Sequence, residues 1–214
     1  MIVFVILFSL FLRLNIPHYP LFLIVGWLSW IFFSDSLSGA APVFVEQSNF
    51  LKKVFFPREL MPISVVITNL FQFCINLLLL IPFILYEGIG FKITLLLLPL
   101  IGIIQMLMVS GFALIVSPLH AHYRDVAHIV GVLLSMGFYL TPIFYSIGTI
   151  PEQFRWIYSL NPMAQFIEEY REAVFGTWTL FDSTLPALLL FSLIVFLIGQ
   201  AIFLRLDHEL IKKV

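Results

Sequence analysis

Five apolar runs, each long enough to cross a bilayer as a helix, leave this chain little choice of architecture. They are Pro20 to Val45, Met61 to Tyr86, Ile93 to Ser117, Val126 to Ile147 and Leu185 to Leu204, with a shorter sixth, Met1 to Leu14, ahead of them. A spanning helix needs roughly 20 apolar residues, and in hydrocarbon only helices or closed barrels satisfy every backbone polar group. The chain is 61% hydrophobic and 11% charged, with 24 phenylalanines in 214 residues, whereas soluble domains are about a quarter charged. The expectation is an all-α, polytopic membrane protein in one transmembrane domain, with about six spans near 1–14, 20–45, 61–86, 93–117, 126–147 and 185–204.

Composition also removes function classes. No basic face large enough for nucleic acid exists, and the single cysteine, Cys74, allows no intrachain disulfide. The only glycine-rich element, Gly88-Ile-Gly90, lacks the lysine and hydroxyl that a phosphate-binding loop requires, so energy must come from another chain.

The first run has no positive region before it and no small-residue cleavage site after it, which argues against a signal peptide. It reads as a span missing its start. On that threading Lys52, Lys53, Arg58, Arg124, Arg205, Lys212 and Lys213 fall on one side and Arg13, Lys92, Arg155 and Arg171 on the other. The basic excess marks the cytoplasmic side, with both termini there in a full-length protein.

The island Glu46 to Pro62, EQSNFLKKVFFPRELMP, interrupts two apolar runs on that side. Ser48 and Asn49 can cap a short helix that presents Phe50, Leu51, Val54 and Phe55 as apolar surface and Lys52 and Lys53 as charge, with Pro57 ending it. The same helix fits an interfacial lipid anchor or a docking surface for a partner protein.

On the other side, Gly148 to Ser183 is long. Pro151 can open one short helix, and Asn161-Pro162 is a strong start for a second running to Gly176. Met163, Phe166, Ile167, Tyr170 and Val174 form its apolar stripe, whereas Glu168, Glu169, Arg171 and Glu172 fall mostly on the opposite side, with Glu168, Glu169 and Arg171 expected to be free for hydroxyl groups. Around this hairpin lie the aromatics Phe138, Tyr139, Phe144, Tyr145, Phe154, Trp156, Tyr158 and Tyr170, part of them an ordinary interfacial belt, together a set of faces for sugar rings. Asp35, beside Ser34, Ser36 and Ser38, sits deep in a span, where a carboxylate faces a bundle interior, a water-filled path or a dimer seam. His120, His122 and His128 around Arg124 and Asp125 superficially suggest a metal site, but imidazoles at i and i+2 do not share a helical face and no second ligand cluster completes it. No metal is expected.

Four segments resemble, in order and spacing, the permeases of polysaccharide-export ABC transporters, which move O-antigen, capsule or teichoic-acid chains. They are NFLKKVFFPRELMP, FFSDSLSGAAP, HYRDVAHIVG and YLTPIFYSIGTIPEQFRWIYSLNPMAQFIEEYREAVFG. The resemblance implies a homodimeric, non-catalytic inner-membrane subunit exporting a lipid-linked polysaccharide such as that of lipopolysaccharide, with ATP and Mg bound by a separate ATPase partner and no cofactor in this chain. It assigns the ATPase-coupling helix to the 46–60 loop, with Phe50, Leu51, Lys52, Lys53, Val54, Phe55, Pro57, Arg58 and Glu59. Arg124 and Asp125 become a second cytoplasmic turn, and Tyr139, Phe144, Tyr145, Phe154, Trp156, Tyr158 and Tyr170 the glycan path and outer gate. Family members normally begin with a basic amphipathic helix before a complete first span, so the chain is expected to be shortened at its start. A drug-exporting permease, differing in cargo, and a membrane metalloenzyme using His120, His122 and His128 are the competing readings.

Overall fold

A computed structural model of the chain describes residues 16–48, 57–179 and 183–213. The described residues are helical and connecting segments: α1 (Tyr19–Ala40), α2 (Val43–Glu46), α3 (Leu60–Leu78), α4 (Leu80–Tyr86), α5 (Leu98–His122, led in by a 3-10 turn at Ile93–Leu97), α6 (Val126–Leu140), α7 (Glu152–Ser159), α8 (Pro162–Phe175) and α9 (Leu185–Lys213). Four stretches are long and apolar enough to cross a membrane, Tyr19–Ala40, Leu60–Tyr86, Ile93–His122 and Leu185–Leu206. Multi-pass insertion follows. The expected first span and residues Phe50 to Phe55 lie outside the described residues.

Prolines set the boundaries that periodicity alone misplaces. The run expected over 61–86 is divided at Leu79, because Pro82 has no N–H for the carbonyl of Leu78; the Leu79 N–H bonds instead to the Asn76 carbonyl at 3.1 Å, a tightened turn. The run expected to end at Ser117 continues through Pro118 to His122. The run expected over 126–147 stops as a helix at Leu140, since a residue before proline is pushed out of the helical region and Thr141 precedes Pro142. Fifteen helical residues reach about 23 Å, short of the roughly 30 Å hydrocarbon core.

The chain divides into two compact units. The first combines residues 1–31, 73–101 and 137–185. Its described core is organised by α8, whose Met163, Ala164, Phe166, Ile167, Tyr170, Ala173 and Val174 are buried. Tyr170 meets Phe73 edge-on at 5.6 Å between ring centroids. The second unit combines residues 32–72, 102–136 and 186–214. It packs Val43, Phe44, Met61, Leu114, Ala121 and Phe203 together, with the Phe44 and Phe203 rings 6.0 Å apart. Here α5 and α9 cross so closely that a Cβ on Gly111 would stand 2.6 Å from the Val195 carbonyl. Ile67, Phe71, Ile75 and Leu78 of α3 and Leu190, Ile194, Leu197 and Ile198 of α9 are exposed. Surfaces of that size and apolarity find their solvent in hydrocarbon.

Candidate functional site

The most elaborate polar construction lies around the hairpin of α7 and α8. A turn precedes it, in which the Ser146 hydroxyl accepts from the Gly148 N–H at 3.3 Å and the Thr149 hydroxyl donates to the Ser146 carbonyl at 2.7 Å. Pro151 stands at the N-cap of α7, and Arg155 reaches back from α7 to the Ile150 carbonyl at 3.0 Å. All of α7 stays at the surface, with Phe154 and Trp156 exposed.

Helix α8 starts and stops as its terminal residues require. Asn161 Oδ1 accepts from the N–H groups of Met163 and Ala164 at 3.0 and 3.4 Å, with Pro162 at the first helical position. Gly176 closes the helix at φ 70°, in the left-handed region open to glycine, with the Lys92 side chain lying where a Cβ would stand. The Asn161 amide also donates to Thr141 Oγ1 at 3.1 Å, so the cap ties α8 to the end of α6. Asn161→Ala is expected to lower stability by about 1 kcal/mol from the lost cap, with a further loss from the Thr141 bond. Thermal melting of the purified protein measures it, and an unchanged midpoint would contradict the assignment.

The polar side of α8 is where expectation and structure part. Glu169 and Arg171, expected to be free for hydroxyl groups, are each only 3% exposed. The surrounding elements enclose α8 at these two positions, whereas Glu168 and Glu172 stay half-buried, and an enclosed charge must be paired. The Glu169 carboxylate accepts from the Thr184 N–H and hydroxyl, from the Ser183 hydroxyl, and from the Trp178 indole N–H at 2.9 Å. It thereby stitches the segment between α8 and α9 onto α8. Arg171 turns another way, donating to the Ile143 carbonyl at 2.8 Å and to Glu168 at 3.0 Å, while its guanidinium carbon lies 3.4 Å from the Phe22 ring centre. Burial lowers its pKa to about 10, against the pull of Glu168, so it stays cationic at neutral pH.

Between α6 and α7, residues Thr141 to Phe144 are buried without being helical. Backbone in that condition must find partners outside secondary structure. Arg171 supplies one to Ile143, and the Tyr19 hydroxyl donates to the Phe144 carbonyl at 3.1 Å. Tyr145, next along, brings its hydroxyl to 3.1 Å from that of Tyr158 on α7, the rings edge-on at 6.1 Å.

The aromatics expected on one path thus separate. Tyr139, Phe154 and Trp156 are exposed, and Tyr145 and Tyr158 are half-buried partners. Phe144 and Tyr170 are core residues instead, Phe144 packed on Phe138 at 5.1 Å and Tyr170 only 1% exposed; apolar neighbours outcompeted any solvent-facing role in this conformation. Tyr19, Phe22 and Gly26 were not foreseen, because the only clue was a tyrosine at the start of a span.

In the second unit, Pro57, Arg58 and Glu59 form the turn entering α3, with the Leu60 and Met61 N–H groups bonded to the Pro57 and Arg58 carbonyls. Glu59 accepts from the Gln200 amide of α9 at 2.9 Å, a tie across 141 residues. Arg124 and Asp125 are exposed in the turn between α5 and α6. His120 Nδ1 accepts from the Ala127 N–H at 3.2 Å and His122 Nδ1 lies 2.8 Å from the Pro118 carbonyl, so these imidazoles are occupied by backbone. Among the described residues no three potential metal ligands gather. Asp35 and Ser38 point away from the core of the unit and Ser34 is half-buried.

Residues 1–175 match the family profile described as ABC-2 type transporter. The chain is 34% identical over 206 residues to an O-antigen export system permease protein of Myxococcus xanthus, covering 95% of this chain and 79% of that protein. It is 32% identical over 208 residues to one of Klebsiella pneumoniae, covering 97% and 80%.

Proposed function

The chain belongs to the ABC-2 type transporter family, and on that premise we propose that it is the permease of an exporter of O-antigen-like, lipid-linked polysaccharide. The observation that carries the cargo is its similarity, across nearly its whole length, to proteins named as O-antigen export permeases. In this reading the chain is a non-catalytic membrane subunit with six spans, the fifth completed by α6 and the segment Thr141 to Ile147 after it. It works as a homodimer in the inner membrane, termini cytoplasmic, and each copy docks one ATPase subunit that binds ATP and Mg. The loop 46–60 receives the ATPase through Phe50 to Phe55 and Pro57, Arg58 and Glu59, and Arg124 and Asp125 form a second cytoplasmic turn. Glu59 hands movement of that loop to α9 through Gln200. At the outer face Tyr139, Tyr145, Phe154, Trp156 and Tyr158 offer ring faces and hydroxyls to passing sugars, and Asp35 and Ser38 face the path or the dimer seam.

Cells lacking the protein are expected to accumulate lipid-linked glycan on the inner leaflet and lose it from the surface; normal surface glycan overturns the reading. Arg58→Ala is expected to cut export and cargo-stimulated ATP hydrolysis by roughly tenfold while the ATPase still co-purifies. Full stimulated hydrolysis in that variant would remove the loop from the coupling route.

A further inference from the structure

The buried, non-helical stretch after α6 is held by side chains remote in sequence, and only one of them carries a charge. Arg171 gives one amino group to the Ile143 carbonyl at 2.8 Å and the other to Glu168 at 3.0 Å, with its flat face against Phe22. Gly26 makes the room: a Cβ there would stand 2.9 Å from Arg171 Nη2 and 3.5 Å from the Ile143 carbonyl oxygen. Two residues beyond Ile143, Tyr145 meets Tyr158 of the surface helix α7 through hydroxyls 3.1 Å apart. Pro142 prevents regular helical bonding here, so the direction in which Tyr145 leaves the core depends on these carbonyl contacts. A lysine carries its three donors on one rotatable nitrogen at the end of a flexible stem, whereas the planar guanidinium fork holds the Ile143 carbonyl and Glu168 in one fixed geometry.

We propose that Arg171 is the positioning residue of the outer gate, fixing the Ile143 carbonyl so that Tyr145 closes against Tyr158. The proposal rests on the exporter reading for what passes the gate, but not for whether Arg171 controls it. The full transporter, permease with its ATPase, is reconstituted in vesicles, and release of entrapped potassium without ATP is measured beside surface glycan in cells. Arg171→Lys and Gly26→Ala, which disturb the same contact from opposite sides, are each expected to raise the leak roughly five- to tenfold at normal membrane abundance and normal ATP hydrolysis. Tyr158→Phe raises it too, and adding Arg171→Lys to Tyr158→Phe raises it no further, because both act through one contact. Additive leaks, or a wild-type leak in both Arg171→Lys and Gly26→Ala, overturn the proposal. So does a loss confined to abundance, which marks a merely structural arginine. Absence of glycan export by the unaltered protein removes the cargo and leaves the leak measurement standing.

Discussion

Gly199→Leu is expected to abolish the folded permease, and Gly199→Ala to destabilise it severely. In the second unit, α5 and α9 approach until a Cβ on Gly199 would collide with the Gly111 carbonyl oxygen, and one on Gly111 would stand 2.6 Å from the Val195 carbonyl and 2.7 Å from the Phe196 N. The obstacle is backbone on both sides, so no side chain can rotate away and the helices themselves must separate. Close contact between small residues is what holds helices together in lipid, where burial of apolar surface supplies no drive between them. Separating them also strips contacts from the cluster containing Leu114 and Phe203, which lie on the same two helices. Overpacking costs about 1–3 kcal/mol even where side chains give way, and a clash against backbone belongs at or above the top of that range. The measurement is the melting midpoint and monodispersity of purified Gly199→Ala, with Leu190→Ala on the exposed face of α9 as reference. Equal midpoints for the two would show that the helices do not cross as described.

Glu169→Ala is expected to be the most damaging change in the first unit. It deletes an acceptor serving the Thr184 N–H and hydroxyl, the Ser183 hydroxyl and the Trp178 indole, and leaves the half-buried Ser183 and Trp178 donors and the exposed Thr184 to find others. Hydrogen bonds to a charged group contribute about 1.5–3 kcal/mol each, less where water can replace the partner, so the combined loss is expected to be about 3 kcal/mol. Glu169→Gln keeps one carbonyl acceptor and the side-chain length, so it is expected to lose roughly half as much. Melting midpoints should rank wild type, Gln and Ala in that order, and limited proteolysis should open the chain between Gly176 and Leu185 in the alanine variant. An alanine variant as stable and as protease-resistant as wild type would mean that tying the segment before α9 to α8 contributes nothing.

How much of this was legible beforehand depends on how local each signal is. Four of the spans were legible because apolar length is a property of a continuous stretch, and the ends of α8 because Asn161, Pro162 and Gly176 act on their own neighbours. The end of α6 was written in Pro142, yet the apolar run through Ile147 masked it. The family was visible in motif order, and the profile match over residues 1–175 agrees with it. The polar side of α8 was misread for a physical reason: a helical period of 3.6 sorts apolar from polar, but cannot say whether the polar side meets water or other protein.

What the sequence by itself determined is the solvent and the class: a chain so apolar, in runs so long, must be a helical membrane protein, and its motif order resembles that of polysaccharide-export permeases. Only the tertiary structure decided which polar groups are available. Glu169 found donors up to 15 residues away, Tyr19 an acceptor 125 residues away, and Glu59 a partner at Gln200. Burial forces each such group to be satisfied, while the partner that satisfies it is chosen by how distant segments pack, which no local pattern of residues encodes.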